Sequence, residues 1–137
     1  THGDFRLDNL FFAAGGSVAV IDWQLSMRAP GQADFVYFCA NNLTVDMRRA
    51  HEDDLLARYV AGLHAHGVPS DAVTVDSVRQ GYLEGLVFYA VSFGASLLTI
   101  DPANPRGGAL FETLVRRTFA AVEDLDAGLA LGFDTDG

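Results

Sequence analysis

Three oxygen-bearing side chains near the start of the sequence could do chemistry together: Asp4, Asn9 and Asp22. Carboxylate and amide oxygens suit a hard cation such as Mg²⁺, which keeps several waters and holds substrate phosphates. A further carboxylate nearby could accept the proton of an attacking hydroxyl. Taken singly, each of the three is more often a turn or capping residue. Their spacing argues for more. Two β-prone runs, Asn9 to Phe12 and Ser17 to Trp23, flank Gly15-Gly16, and glycine supplies the positive φ that a tight turn needs. With a two-residue turn, Ala13 faces Val18, Phe11 faces Val20 and Asn9 faces Asp22. An amide and a carboxylate then stand side by side at the open end of the hairpin, with Asp4 in the loop that enters it. Both runs are apolar on both faces, so Asn9 and Asp22 are expected to interrupt buried surface. A lone carboxylate there is costly without a partner or a metal.

The elements that must position these groups are mostly helical. After Pro30-Gly31 the pattern changes, and Asp34 is a plausible N-cap for the short apolar helix DFVYFCANN. A longer helix is predicted from about Asp46 to His66, with Leu55, Leu56, Tyr59, Val60 and Leu63 as its apolar stripe, ended by Gly67-Val68-Pro69. A third helix is predicted from about Asp76 to Ile100, broken by Asp101-Pro102-Ala103-Asn104-Pro105. A fourth is predicted from about Ala109 to Leu129, with Phe111, Leu114, Val115, Val122, Leu125 and Leu129 on one face, and the tail GFDTDG is expected to fray. The expected fold class is therefore α+β and mainly α, a β-hairpin with its loops lying on a helical bundle.

Composition narrows the function classes. A length of 137 residues points to one domain, and 50% hydrophobic residues suffice for a packed core. The net charge of −9 argues against nonspecific nucleic-acid or anionic-membrane binding. One cysteine excludes a disulfide framework. No signal peptide is visible, and the 16 uncharged residues from Gly85 to Ile100 are short for a membrane span, so a cytoplasmic location is the default expectation. All nine basic residues are arginines; there is no lysine. Residue 1 is threonine, and the chain is expected to be a piece of a longer protein.

Other polar groups read as structural. His64 and His66 face different ways on a helix and make no metal pair. Glu52-Asp53-Asp54 beside Arg48, Arg49 and Arg58 reads as a solvated face with ion pairs along the helix. Cys39 reads as a small buried hydrophobe, Ser92 and Ser96 lack a nucleophile-elbow pattern, and Phe88, Tyr89 and Phe93 read as core.

HGDFRLDN, from His2 to Asn9, followed by VIDWQ, from Val20 to Gln24, resembles the catalytic core of the aminoglycoside phosphotransferase and choline kinase superfamily. The further run IDWQLSMRAPGQADFVYF, with RRAHEDDLLARYVAGL after it, resembles the ecdysteroid-kinase-like (CHK-kinase-like) branch. The resemblance implies a protein-kinase-like C-lobe and transfer of the ATP γ-phosphate to a hydroxyl on a small molecule. By that resemblance Asp4 is the catalytic base, and Asn9 and Asp22 ligate the Mg²⁺ that bridges the ATP phosphates. Arg6 sits where protein kinases of this pattern place a lysine near the transferred phosphate, so the same resemblance makes it charge-stabilising; a solvent-exposed arginine is the plainer alternative. His2 and Asp34 are implied to be structural, Asp34 capping a helix and holding the loop.

The departures from the family are as informative. Family members clamp the nucleotide with an N-terminal lobe carrying a phosphate-covering loop and a lysine, and neither is in these residues. The expected organisation is a C-lobe over residues 1–137, with a catalytic loop and metal-binding hairpin over 1–24 and a helical subdomain over 34–131. Activity of these residues alone is expected to be negligible without a missing N-lobe or a partner chain. The acidic balance favours a cationic acceptor, while the ecdysteroid-kinase-like resemblance favours a more apolar alcohol. A non-catalytic interaction module and a metal-dependent phosphohydrolase remain as alternatives.

Overall fold

The computed structural model describes residues 1–99 and 105–133. Two short strands, β1 (Leu10–Phe12) and β2 (Val18–Val20), form an antiparallel hairpin. Five α-helices follow among the described residues: α1 (Gln32–Tyr37), α2 (Val45–Ala65), α3 (Val75–Ser96), α4 (Pro105–Asp124) and α5 (Ala127–Ala130). The mainly α character expected from the sequence is present. No helix among the described residues is long and apolar enough to cross a membrane.

The hairpin register differs from the expected one by one residue. Leu10 pairs with Val20, Phe11 with Ala19 and Phe12 with Val18. The Gly16 N–H donates to the Ala13 carbonyl and the Ala13 N–H to the Ser17 carbonyl, so three residues rather than two form the connection. Gly15 (φ 99°) and Gly16 (φ 84°) supply the positive φ this loop needs. Asn9 therefore lies opposite Ile21, whose N–H donates to the Asn9 carbonyl at 3.0 Å, and not opposite Asp22. The strands are also not buried: Phe11 and Phe12 are 58% and 68% exposed, because no second layer covers the hairpin among the described residues.

The helical part is built around α1 and α3. Val36, Cys39, Ala40, Tyr82, Leu86 and Ala121 form the principal core cluster. The two helices approach closely because α3 carries glycine where α1 crosses. A side chain at Gly81 would meet Gln32, and one at Gly85 would come within 2.8 Å of Val36. Leu56 and Val60 of the expected α2 stripe pack with Val78 of α3. Cys39 is fully buried, and burial pushes its thiol up to about 12, so it behaves as the small hydrophobe expected.

Several boundaries and environments depart from expectation. Gly31, not Asp34, is the N-cap of α1, and Asp34 sits inside the first turn. The helix continues as a π-helical turn over Phe38–Asn42. Thr44 caps α2 and Thr74 caps α3, the latter through a reciprocal bond pair with Ser77. α3 ends at Ser96 and passes into a 3-10 turn over Leu97–Thr99, while Ile100 and the breaker from Asp101 to Asn104 lie outside the described residues. α4 starts at Pro105 and stops at Asp124; Asp126 at φ 45° separates it from α5. Residues 134–137 of the tail also lie outside the described set.

The charged run on α2 is only partly solvated. Arg58–Asp54 is an exposed pair along the helix, and Arg79 reaches Asp53 from α3. Arg48, in contrast, is 1% exposed and bonds both Glu52 (2.7 Å) and Asp124 of α4. Tyr82 donates its hydroxyl to the same Glu52. Phe88 is exposed, unlike Tyr89 and Phe93, which stack in the interior.

Candidate functional site

The loop from His2 to Asn9 is tied to the helical layer at both ends. Asp34 accepts hydrogen bonds from the backbone N–H of His2 (2.6 Å) and of Gly3 (2.9 Å). Asn42, in the π-helical turn, accepts from the Leu7 N–H at 2.8 Å and donates to the Phe5 carbonyl at 3.3 Å. π-helical turns occur frequently at functional sites. Gly3, at φ 84°, lets the chain pass under Leu25; a Cβ there would fall 2.5 Å from the Leu25 carbonyl oxygen.

His2 links the loop to the hairpin. Its ring is 2% exposed, its Nδ1 accepts the Asp4 N–H at 3.2 Å, and its Nε2 lies 2.7 Å from the Ile21 carbonyl. With Nδ1 accepting, Nε2 is the nitrogen placed to donate to the Ile21 carbonyl. The ring serves as a brace between the residue before Asp22 and the backbone of Asp4. It has no free nitrogen with which to act as a base.

Asp4, Arg6 and Asn9 come together directly. Arg6 Nε lies 3.0 Å from Asp4 Oδ1 and 3.1 Å from Oδ2. Asn9 donates its Nδ2 hydrogens to the Asp4 carbonyl (2.9 Å) and to Asp4 Oδ2 (3.2 Å). Asn9 is 5% exposed, and this orientation leaves its Oδ1 without a hydrogen bond among the described residues. Asp22 stands one residue beyond the backbone bond from Ile21 to Asn9. It is exposed, in the left-handed region (φ 64°, ψ 55°), and its carboxylate has no hydrogen bond or ion pair among the described residues. A non-glycine residue held there is strained, a feature that clusters at functional positions.

No side-chain hydrogen bond joins Asn9 to Asp22 among the described residues, but the two offer donor types that a hard cation takes. Asn9 Oδ1 and the Asp22 carboxylate are the uncommitted oxygens, while Asp4 is engaged by Arg6 and Asn9. No group of three or more His, Cys, Asp or Glu that could hold a metal occurs among the described residues. One carboxylate and one amide match a Mg²⁺ that takes its other ligands from water and phosphate.

Tyr37 belongs to the site, although its position in an apolar helix gave no sequence signal for that role. It is 8% exposed, and burial first, then the charge and hydrogen bonding of Asp4, raise its phenol well above the ordinary range. Burial and the nearby charge of Asp4 both favour the neutral phenol. Tyr89 packs edge-on against it at 5.3 Å between ring centres. Asn42 is the other residue that sequence reasoning missed; the family segment around Asp34 was the only available pointer. His64 and His66 bond separate carbonyls, of Val73 and Gly62, and form no site.

No curated protein and no solved structure gives a significant match to the chain. Residues 1–67 match the family model of the phosphotransferase enzyme family (APH). It is over this stretch, which carries Asp4, Arg6, Asn9, Asp22, Asp34, Tyr37 and Asn42, that the chain is similar to those phosphotransferases.

Proposed function

We propose that these residues form the C-lobe of a small-molecule kinase that transfers the ATP γ-phosphate to a substrate hydroxyl. The observation that carries this reading is the engagement of Asp4 by Asn9 and Arg6 within a segment similar to phosphotransferases. Asp4 accepts the proton of the acceptor hydroxyl as the oxygen attacks. Tyr37, Asn9 and Arg6 orient its carboxylate. Asn9 Oδ1 and Asp22 would hold Mg²⁺, which when bound neutralises charge on the nucleotide phosphates. Arg6, next to Asp4, adds positive charge where the phosphoryl group passes.

The nucleotide grip must come from outside these residues, since they include no lysine and no phosphate-covering glycine loop. Phosphoryl transfer depends chiefly on positioning and electrostatics. These 137 residues alone should then have negligible activity until an N-lobe or partner chain supplies the cradle. The runs quoted above favour the ecdysteroid-kinase-like branch, and use of ATP favours the cytoplasm. The test is ADP release by the full-length protein across a panel of hydroxyl acceptors. Acceptor-dependent release lost in Asp22→Ala supports the kinase. Phosphate release without any acceptor, also lost in Asp22→Ala, replaces it with a phosphohydrolase.

A second reading has one specific observation behind it. Phe11, Phe12, Ile21, Trp23 and Leu25 leave an apolar surface open along the hairpin, as an interaction module would require. Association that persists while no acceptor gives ADP would favour it.

A further inference from the structure

Arg117 of α4 is a partly buried cation with no carboxylate partner among the described residues. Its Nη1 donates to the carbonyls of Asn41 (2.6 Å) and Asn42 (3.1 Å). Its Nε is buried without a partner, and its Nη2 makes no hydrogen bond among the described residues. Burial, with the charge of neighbouring Arg116, lowers its pKa from the ordinary arginine value. Carbonyl dipoles alone are poor compensation for a guanidinium drawn out of water.

The same arginine lines a cavity of about 180 Å³ between the catalytic loop and α4, with Arg6, Asp8, Asn41 and Asn42 among its walls. Asn41 is 3% exposed; its Oδ1 accepts from Thr118 at 2.7 Å, and its Nδ2 has no partner. Arg6 commits its Nε to Asp4, and only a long contact of 3.9 Å joins its Nη1 to Asp8. Asp8 is the opposing charge. Its side chain is 80% exposed, so water screens it. A neighbouring cavity of about 500 Å³ shares Arg6, Asp8 and Leu110 and adds Arg106. In a chain of net charge −9, three of nine arginines thus line two adjoining cavities beside Asp4.

We propose that the cavity between the catalytic loop and α4 binds a small oxyanion, a carboxylate or phosphate group carried by the acceptor, through Arg117 and Arg6. The smaller cavity has room for such a head group, and the adjoining one for the rest of a small molecule. Guanidinium groups bind planar or tetrahedral oxyanions with paired N–H donors, a geometry lysine lacks. That the anion belongs to the acceptor rests on the kinase reading; the binding does not. This acceptor class differs from both the cationic and the apolar ones considered from the sequence.

The test is a titration of the full-length protein with inorganic phosphate, and separately acetate, against chloride at constant ionic strength. The readout is the NMR signals of the Arg117 Nε–H and the Asn41 side-chain amide. Saturable shifts are expected, weakened roughly tenfold in Arg117→Gln, the scale of one charge-assisted contact. Asp8→Asn should tighten binding. Leu110→Trp, which fills the cavity from a partly exposed wall, should block it with the core intact and covers the case in which Arg117→Gln does not fold. An equal response to chloride, or binding retained in Leu110→Trp, overturns the proposal. Since no nucleotide is present, loss of oxyanion binding leaves the kinase reading standing. Oxyanion binding without any ADP release would instead remove the kinase reading alone.

Discussion

The Asp34 carboxylate accepts two backbone hydrogen bonds, from His2 at 2.6 Å and Gly3 at 2.9 Å, and so joins the first helix of the bundle to the loop that carries Asp4. Both bonds are charge-assisted, a class worth about 1.5–3 kcal/mol each. Asp34→Ala should destabilise the fold by about 3 kcal/mol, and Asp34→Asn, which keeps one acceptor, by less. Chemical denaturation of the two variants checks the order. An equal loss in both would mean that the carboxylate's double role is absent.

Gly3 should tolerate no side chain. At φ 84°, with a Cβ position 2.5 Å from the Leu25 carbonyl oxygen, Gly3→Ala combines a left-handed backbone with a backbone collision. Strain of this kind costs about 1–3 kcal/mol. A lowered denaturation midpoint is expected, together with loss of the NMR signature of the His2 bond to Ile21. Gly15→Ala, where nothing lies within 4 Å, should show only the smaller backbone effect.

The buried Arg48 makes α4 dependent on its carboxylate. Asp124→Ala leaves Arg48 with Glu52 alone in a site 1% exposed, and should cost about 3 kcal/mol. Arg48→Met, which removes the charge with its solvation cost, should cost less. Hydrogen bonding from Arg49 first, then Arg48, holds the Asp124 carboxyl below its usual value against the opposing effect of burial. A lowered native pKa means that stability is present above the unfolded aspartate value, near 4, and is lost as pH falls through the native one. Acid denaturation should therefore shift to higher pH in Arg49→Gln, as monitored by helical circular dichroism.

Alkaline pH tests Tyr37. Burial and Asp4 raise its phenol, and burial raises Tyr82 as well, so the fold retains protons that the unfolded chain releases near pH 10. Stability is then intact below about pH 10 and falls above it. Tyr37→Phe should reduce that fall, and the phenolate absorbance of native protein should lack the Tyr37 contribution until unfolding. Ionisation of Tyr37 at the ordinary value in the folded protein would separate it from Asp4.

The loop from His2 to Asn9 was legible in the sequence because its polar groups stand in a short run of residue types, and Asp4, Arg6 and Asn9 do meet. The helices were legible from their apolar stripes and from the Gly67 stop. The hairpin register was not. Gly15-Gly16 reads as a two-residue turn, but Ala14 joins the loop, and one residue of slip moves Asp22 off the rung opposite Asn9. The left-handed backbone of Asp22 was equally invisible, since aspartate visits that region only occasionally and nothing in the flanking residues signals it. The apolar strands read as buried, yet Phe11 and Phe12 lie open, because sequence reports hydrophobicity and not what covers it. Tyr37 and Asn42 were hidden for a related reason: they reach the site from a helix whose pattern speaks only of packing.

Acceptor-dependent ADP release by the full-length protein, compared with Asp4→Asn and Asp22→Ala, tests the central claim most directly. The kinase account predicts at least a hundredfold fall in kcat for Asp4→Asn, the lower range for loss of a general base (about 10²–10⁴), and loss of Mg²⁺-dependent turnover in Asp22→Ala. Unchanged turnover in either variant, in protein whose circular dichroism matches wild type, would contradict it.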